Sequence, residues 1–406
     1  MLKQVSDYRH KSYIKHGTGI ILLIRILSAI FYIKSMRKMT MDFNEEICLE
    51  NTCRILEVEP TDILPHWSTI NNFLEKLPET ELEEIITESV SHIVRMKTFE
   101  SSRIRGKHWQ ILIDGSGIFS FGDQRHCKHC LKREHKDKDG NVKRTEYYHY
   151  VLEAKIVFGE NLVFSIGTEF VENENEEVTK QDCELKAFYR LAEKLKERHK
   201  RLPMCLTMDS LYAKKPVFDV CKKNGWHYII RFKDGSLRSV AKDFHELKYI
   251  EKDQQFSQIE NGIKKEYKFV NGIDYNGHSL NFAECIQEDK EHPFVFLTDL
   301  PITRKNCEDT VRDGRRRWRI ENEGFNRQKN HGYHLQHLFS KDEKAMKNHY
   351  YLIQIGHMVS QMMEKMCQKI VQGSTIEWIH EKIKQYFQTI PIGDFEVAEI
   401  KYRLRL

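Results

Sequence analysis

The amino-terminal quarter of the chain places apolar residues at helical spacing. The segments that show it are IILLIRILSAIF, FNEEICLENTCRIL, HWSTINNFLEKL and ELEEIITESVSHIVRM, in which apolar residues recur every three or four positions. Pro60, Pro65 and Pro78 stand between these segments, where a helix is expected to end. The pattern predicts an all-helical amino-terminal domain over residues 1–105.

The spacing of apolar residues changes at Trp109. The segments WQILIDGSGIF, YYHYVLEAKIVF and LVFSIGTEFV are rich in β-branched and aromatic residues and predict three strands. A helix is predicted over residues 180–199, followed by the strand MCLTMD, the helix PVFDVCKKNG ended by Gly225, and the strand WHYIIRF. Residues 106–232 therefore have the predicted order β-β-β-α-β-α-β.

The remainder of the chain reads first as strands and then as helices. Residues 233–305 predict a β-rich insertion with turns at Asp234-Gly235, Asn261-Gly262, Asn271-Gly272 and Asn276-Gly277. Residues 306–406 return to helical spacing and end in the tail YRLRL. The predicted class is α/β: a mixed sheet with a β-rich insertion, preceded by a helical domain and followed by carboxy-terminal helices.

Composition narrows the class of protein. With 40% hydrophobic and 31% charged residues, 20 Gly and 8 Pro, the chain is not collagen-like, of low complexity or a multi-span membrane protein. The apolar stretch Ile20–Ile33 is too short for a bilayer and contains Arg25, so we expect a buried helix and no membrane partner. Ten scattered cysteines indicate a reducing cytoplasm, and a net charge of +5 permits a polyanionic partner.

Three acids occupy informative places in the predicted order. Asp114 follows the first strand, Asp209 follows the fourth, and Glu321 lies on a later helix. Carboxylates at the ends of neighbouring parallel strands can converge, and oxygen donors suit Mg²⁺ or Mn²⁺. Two such ions support phosphoryl transfer, although each acid alone is also explained as a helix cap or turn former.

These motifs resemble those of DDE transposases of bacterial insertion sequences. The similar segments are LIDGSG at Asp114, MDSLYA at Asp209, and RWRIEN with GFN and Lys329 behind it, with YHYVLEAKIV, TEFVEN and KQDCELKAF between them. The resemblance covers about residues 64–339 and implies a ribonuclease-H-like domain with a β-rich insertion. It also implies that Asp114, Asp209 and Glu321 are catalytic and hold Mg²⁺, for which Mn²⁺ can substitute.

The resemblance further implies a substrate and an assembly. Such an enzyme cleaves double-stranded DNA at the ends of its element and joins the freed 3′ ends to target DNA, as a homodimer in the synaptic complex. The helical domain at residues 1–105 is then a candidate for binding the DNA ends, or else a helical cap on the main domain. A catalytically inactive DNA-binding relic and a structure-selective nuclease on the same fold stay open as alternatives.

One part of the family pattern is incomplete. Related transposases carry a Tyr, Arg, Glu, Lys signature, and alignment on Arg317 and Glu321 puts Gly314 at the Tyr position and Gln328 at the Lys position, one residue before Lys329. Glu323 is a rival for the third ligand. Two residues apart on an α-helix point to different sides, so only one of Glu321 and Glu323 can face the aspartates, and we favour Glu321.

A basic run surrounds the third acid. The candidates for contact with DNA are Arg315, Arg316, Arg317, Trp318, Arg319 and Lys329. Arginine forks bind phosphate, although a solvated helical face would have the same composition. Trp318 is interpreted either as a base-stacking residue or as a core anchor.

A second candidate site is rich in cysteine and histidine. Its members are His126, Cys127, His129, Cys130 and His149. Cys127-x-x-Cys130 has half of the spacing of a zinc site, and His135 or His149 could complete it, but no second CxxC follows. The pattern is a weak indication of zinc at Cys127 and Cys130, against a loop with incidental thiols. Asp182 and Glu184 are interpreted as structural acids at the start of a helix.

Overall fold

A computed structural model describes residues 1–122, 127–175, 177–250 and 252–393 of the 406-residue chain. His126 of the zinc candidates and the tail YRLRL lie outside the described residues. The helices are α1 (Thr18–Ile30), α2 (Met36–Asp42), α3 (Glu46–Leu56), α4 (Trp67–Leu74), α5 (Glu79–Arg95), α6 (Glu184–Arg198), α7 (Lys215–Asn224), α8 (Arg238–Leu247), α9 (Cys307–Arg315), α10 (Arg327–Asn330), α11 (Glu343–Ile370) and α12 (Ile376–Thr389). A π-helix spans Ile320–Asn326.

The described chain divides into two compact units. One contains Met1–Thr98 and the described residues from Gly324 onward, and it is helical. The other contains Phe99–Glu323 and holds the sheet. The four segments predicted from the sequence, 1–105, 106–232, 233–305 and 306–406, stay a prediction about functional parts, and the third acid and Lys329 fall in different units.

Helix α1 is buried along its whole length in the helical unit. Its Arg25 donates to Nδ1 of His349 at 2.9 Å and to Oγ of Ser28 at 2.7 Å, and its guanidinium lies 4.1 Å from the ring centroid of Phe339. These contacts offset part of the cost of burying the Arg25 charge, although its Nη2 has no hydrogen-bond partner among the described residues. Among the residues that the structure describes, no helix combines the length and apolarity that crossing a bilayer requires.

The sheet unit contains ten strands in one mixed sheet. The strands are β1 (Trp109–Phe121), β2 (Leu131–Lys136), β3 (Val142–Phe158), β4 (Leu162–Val171), β5 (Met204–Met208), β6 (His227–Arg231), β7 (Gln255–Glu260), β8 (Ile263–Tyr275), β9 (His278–Gln287) and β10 (Phe294–Thr298). Their order is β2-β3-β1-β5-β6-β10-β9-β8-β7, with β4 also paired to β3. Strand β5 runs parallel to β1 and to β6, and the other pairs are antiparallel. The predicted α/β class with a mixed, ribonuclease-H-like sheet is confirmed.

Two elements of the sheet unit differ from the sequence prediction. Strand β2 is additional, so the order before β5 is four strands and a helix, and five of its six residues are exposed. An exposed strand lacks the apolar alternation that identifies strands in a sequence. Helix α8 interrupts the β-rich region, which is otherwise continuous with the main sheet through β10 and β6.

The four predicted turn dipeptides have three different roles. Asn261-Gly262 and Asn276-Gly277 join antiparallel strands with both residues at positive φ, as the primed hairpin turns require. Asn271-Gly272 lies inside β8, where the pairing register with β9 shifts. Asp234-Gly235 precedes α8 and joins no hairpin.

Candidate active site

Asp114 and Asp209 follow the same stretch of parallel pairing. Strands β1 and β5 pair from Trp109↔Met204 to Leu112↔Thr207. Each aspartate stands two residues beyond the last of these pairs, at the carboxyl end of β5. Both are half-buried, and Asp209 accepts a hydrogen bond at 2.8 Å from the backbone N–H of Leu211. The two carboxylates thus share one edge of the parallel part of the sheet.

The position of Asp114 within its strand differs from the prediction. The sequence suggests that the first strand ends at Asp114, but β1 continues to Phe121. Beyond Leu112 it pairs only with β3, in a register that matches Gly115 with Leu152. The glycines after Asp114 do not end the strand because antiparallel pairing with β3 holds the backbone extended.

Glu184, the first residue of α6, reaches the same edge. Its Oε2 accepts a hydrogen bond from the Tyr150 hydroxyl at 2.8 Å, and its Oε1 accepts one from the Tyr212 hydroxyl at 2.8 Å. A Cβ added at Gly115 would collide with the Tyr150 hydroxyl and would stand 2.7 Å from Glu184 Oε2. Only glycine therefore permits this approach next to Asp114. We call Asp114, Glu184 and Asp209 the acidic edge.

The electrostatics of the acidic edge centre on Asp114. Burial raises the pKa of Asp114 to about 6, and the charges of Glu184 and Asp209 add to the rise. Arg317 opposes it, because its Nη1 lies 2.9 Å from Asp114 Oδ2. Such clustering of like charges with one cation is frequent at functional sites.

The third acid lies on an irregular helical segment. Glu321 and Glu323 belong to the π-helix Ile320–Asn326, where Glu321 is exposed and Glu323 is half-buried. A π-helix is wider than an α-helix, but residues two apart on it still point to nearly opposite sides, so only one of Glu321 and Glu323 can face the aspartates. Arg317, four residues before Glu321, contacts Asp114 directly.

The oxygen donors of this site suit a divalent ion, but the described carboxylates do not yet surround a common point. Mg²⁺ and Mn²⁺ take oxygen ligands, and Asp114 and Asp209 offer carboxylates of partial exposure at one edge. In the part of the chain that the structure describes, no three carboxylates have ligand atoms within 4.8 Å of one another. The Asp114 carboxylate has its charge balanced by Arg317 instead.

The residues of the predicted basic run have separate environments. Arg315 donates to Gln287 Oε1 at 2.8 Å and lies over the Phe294 ring, Arg316 lies 3.5 Å from Asp313, and Arg319 bonds Asn161. Trp318 is 54% exposed, so it is not a core anchor. Lys329 lies in the helical unit, 5.9 Å from the Phe325 ring centroid. The run is thus partly tied into the protein and partly exposed.

A second cluster brings two cysteines and a histidine together. Cys127 Sγ lies 3.1 Å from Cys130 Sγ, and His149 Nε2 lies 3.3 Å from the first sulfur and 3.4 Å from the second. Hydrogen bonds from Cys130 and His149 hold the pKa of the Cys127 thiol well below its usual range. His135 is on β2, bonded to Glu146, so His149 and not His135 joins the cysteines. We call Cys127, Cys130 and His149 the thiol cluster.

Sequence reasoning missed Glu184 of the acidic edge and the two tyrosines that bond it. Asp182 is a structural acid as interpreted, because Arg190 donates to it at 2.6 Å. Glu184, interpreted in the same way, lies instead beside Asp114, and Tyr150 and Tyr212 hold it there. The signal was present in the segments YHYVLEAKIV, KQDCELKAF and MDSLYA, which contain these three residues. Their pairing could not be inferred because it depends on tertiary structure.

Comparison with known proteins identifies the family. A comparison with curated proteins gives no match. The family model of the transposase DDE domain matches residues 123–358, more than half of the chain. The matched stretch includes Glu184, Asp209, Glu321 and the thiol cluster, and it begins nine residues after Asp114. The family consists of enzymes that cut and transpose DNA, and its members generally use divalent metal ions. The chain therefore belongs to the transposase DDE domain family.

Proposed function

We propose that the protein cleaves double-stranded DNA at the ends of its own element and joins the freed 3′ ends to target DNA. The observation that carries the proposal is the common edge of Asp114 and Asp209, each two residues past the parallel pairing of β1 and β5. Asp114, Asp209 and Glu321 are the catalytic residues and would hold Mg²⁺, with Mn²⁺ as a substitute. Such ions, when bound, activate an attacking oxygen and stabilise the leaving 3′ oxygen.

The protein groups around the acids have separable tasks in this proposal. Arg317 neutralises Asp114 and is the cation nearest to it, so it is suited to contact a phosphate close to the scissile bond. Glu184 accepts hydrogen bonds from Tyr150 and Tyr212, lies against Gly115 with Tyr150, and adds negative potential that favours cations at the edge. Exposed Trp318 can stack on an unpaired base. Arg315, Arg316, Arg319 and Lys329 supply attraction to the DNA backbone.

The proposed substrate implies an assembly and a location. Joining two ends of one element requires both to be held together, so we propose a homodimer in the synaptic complex. The enzyme would act in the cytoplasm, where the element's DNA lies. Helices of residues 1–105 are the proposed DNA-end-binding part.

The decisive test is a strand-transfer assay. Purified protein is incubated with both ends of the genomic segment that encodes it, a supercoiled target, and Mg²⁺ or Mn²⁺, beside Asp114→Asn. We expect joined product from the wild type only, with DNA-end binding kept in the variant. Binding without product under both ions would indicate an inactive relic, and cleavage without joining would indicate a structure-selective nuclease.

The third ligand needs its own comparison. Glu321→Gln, Glu323→Gln and Glu184→Gln are assayed side by side for end cleavage. The proposal expects loss of cleavage in Glu321→Gln and residual cleavage in the other two variants. Full activity in Glu321→Gln together with loss in Glu323→Gln or Glu184→Gln would transfer the role to that residue.

A further inference from the structure

The thiol cluster has the composition and spacing of a soft-metal site. Its three donor atoms are mutually separated by 3.1, 3.3 and 3.4 Å. Zinc bonds of about 2.3 Å to sulfur and about 2.0 Å to nitrogen, at tetrahedral angles, separate the donors by roughly 3.5–3.8 Å. Small outward movements of the side chains would therefore accept a zinc ion. The sulfurs are also well beyond the roughly 2.05 Å of a disulfide bond.

The backbone from Cys127 to Cys130 forms a tight turn, which we call the cysteine knuckle. The Cys130 N–H donates to the Cys127 carbonyl at 3.3 Å, and the Cys127 N–H donates to Cys130 Sγ at 3.4 Å. Hydrogen bonds to sulfur stabilise a thiolate, the form that binds metal. His149 stands on β3 with 3% of its surface exposed, and its Nδ1 lies 3.8 Å from Glu172 Oε1. A carboxylate behind a ligating histidine is the usual outer support of such a site.

The region also needs stabilisation from something other than apolar burial. Strand β2 has five exposed residues, and the first half of β3, which pairs with it, is exposed or half-buried. Pairing of β1 with β3 ends at Tyr147, so the outer parts of β2 and β3 form a two-stranded ribbon, and such a ribbon without a buried apolar face is marginally stable by itself. A metal joining the residues before β2 to the middle of β3 would hold this ribbon closed.

We propose that Cys127, Cys130 and His149 bind one structural Zn²⁺ that fastens the turn before β2 to the middle of β3. Among the described residues the cluster supplies three protein donors, so the fourth position of the tetrahedron is left for a ligand from outside the cluster. This site is separate from the acidic edge and its existence does not depend on DNA cleavage.

The site also has a path to the acidic edge. The Asn173 carbonyl accepts a hydrogen bond from His129 Nδ1 at 2.8 Å, and the Asn173 N–H donates to the His129 carbonyl at 3.1 Å. The side-chain amide of Asn173 donates to the Cys130 carbonyl at 2.9 Å. The Asn173 side-chain oxygen accepts from the Asp182 N–H at 3.0 Å, two residues before Glu184. The knuckle therefore supports the turn from which α6 begins. Bound zinc would act there as a positioning element and not as a reagent.

The test is metal analysis of the full-length protein purified under reducing conditions without chelator. We expect one zinc per chain in the wild type, and loss of that zinc in Cys127→Ser and Cys130→Ser. Cys183→Ser changes an exposed cysteine outside the cluster, and His135→Gln changes the rejected histidine, so both should keep the metal. Zinc absent from the wild type after reconstitution, or retained in both cluster variants, would overturn the proposal.

A measurement on the wild type alone guards against variants that fail to fold. Cobalt replacing zinc should give the intense absorption of thiolate-to-cobalt charge transfer. Absence of that absorption at full cobalt loading contradicts cysteine ligation. Mass spectrometry of the chain isolated under reductant distinguishes the zinc site from a disulfide. A mass lower by two hydrogens, with Cys127 linked to Cys130, would contradict the zinc site.

Discussion

The acidic edge and the thiol cluster lie in the same unit and meet at strand β3, which carries His149 of the cluster and Tyr150 that bonds Glu184 of the edge, yet the two sites suit different metals. His149 and Tyr150 are neighbours on β3, and successive side chains of a strand point to opposite faces. His149 meets the two cysteines, while Tyr150 meets Glu184 beside Asp114. One strand thus separates a soft sulfur and nitrogen donor set from a hard oxygen donor set.

The two sites also differ in how complete they are without metal. The thiol cluster has all three donor atoms within 3.4 Å of one another, as a permanent structural site requires. The acidic edge has Asp114 balanced by Arg317 and Glu184 bonded to two tyrosines. A catalytic site that must receive ions with DNA gains from staying open, and a structural site gains from being preformed.

The largest expected effect is loss of cleavage in Asp209→Asn. On the proposal that Asp209 holds an ion, removing its carboxylate should cost more than the 10- to 100-fold typical of outer-shell residues. DNA-end cleavage with Mg²⁺ measures it, and zinc content should not change. Asp299→Asn is a matched control, because Asp299 also directly follows a strand but accepts only structural bonds from His227 at 2.7 Å and the Tyr228 N–H at 3.0 Å. Equal losses in both variants would argue that Asp209 is merely structural.

The next effect concerns stability of the ribbon. Removing zinc with a zinc-selective chelator should lower the melting temperature by several degrees, since each kcal/mol lost shifts a domain of this size by roughly 2–4 °C. Hydrogen exchange should quicken in β2 and the first half of β3 before it does in β5. Cys127→Ser without chelator should match the chelated wild type. Uniform exchange across the sheet unit would mean that the cluster does not stabilise this ribbon.

A smaller effect is expected from Glu184→Gln. The amide keeps the size of the side chain but removes the charge that acts on Asp114, so cleavage should fall about tenfold, in the range of outer-shell residues. Asp182→Asn, two residues earlier, loses its pairing with Arg190 and should reduce the melting temperature more than the rate. If both variants changed stability alone, Glu184 would have no part in the chemistry.

The sequence anticipates the elements more reliably than the contacts between them. Helix α7 ends at Gly225, which has φ of 70°, because glycine adopts the left-handed conformation of a helix terminus without cost. Local rules of this kind also gave the strands that carry Asp114 and Asp209. They could not detect β2, whose exposed residues carry no apolar alternation, or the π-helix at Glu321, which depends on packing in three dimensions.

The sequence predicted the part of the site that follows from strand order, and not the part that depends on contacts between side chains. The order of strands brings Asp114 and Asp209 to one edge, so topology alone predicts their neighbourhood. Glu184 and His149 needed side-chain geometry, because an acid at a helix start and a histidine in a strand usually have ordinary structural explanations. For Trp318 the sequence left two interpretations open, a base-stacking residue and a core anchor. Its 54% exposure excludes the core anchor.

The last expected effect leaves cleavage unchanged, and it compares two acids of the sheet unit whose pKa burial raises. Burial raises the pKa of Asp313 to about 6, as it does for Asp114, but Asp313 has Arg316 and Arg312 near it and is not at the acidic edge. A raised pKa in the folded state means stability that is present below the unfolded pKa of 3.8 and lost as pH rises through about 6. Asp313→Asn should therefore raise the free energy of unfolding at pH 8, by at most about 3 kcal/mol at 1.4 kcal/mol per pKa unit, and leave it unchanged at pH 3.5. Denaturant unfolding at the two pH values measures this change.

The same gain without loss of cleavage would identify Asp313 as a structural acid, whereas Asp114→Asn should lose cleavage whatever it gains in stability. A gain for Asp313→Asn at pH 3.5 as well would assign the effect to packing and not to charge.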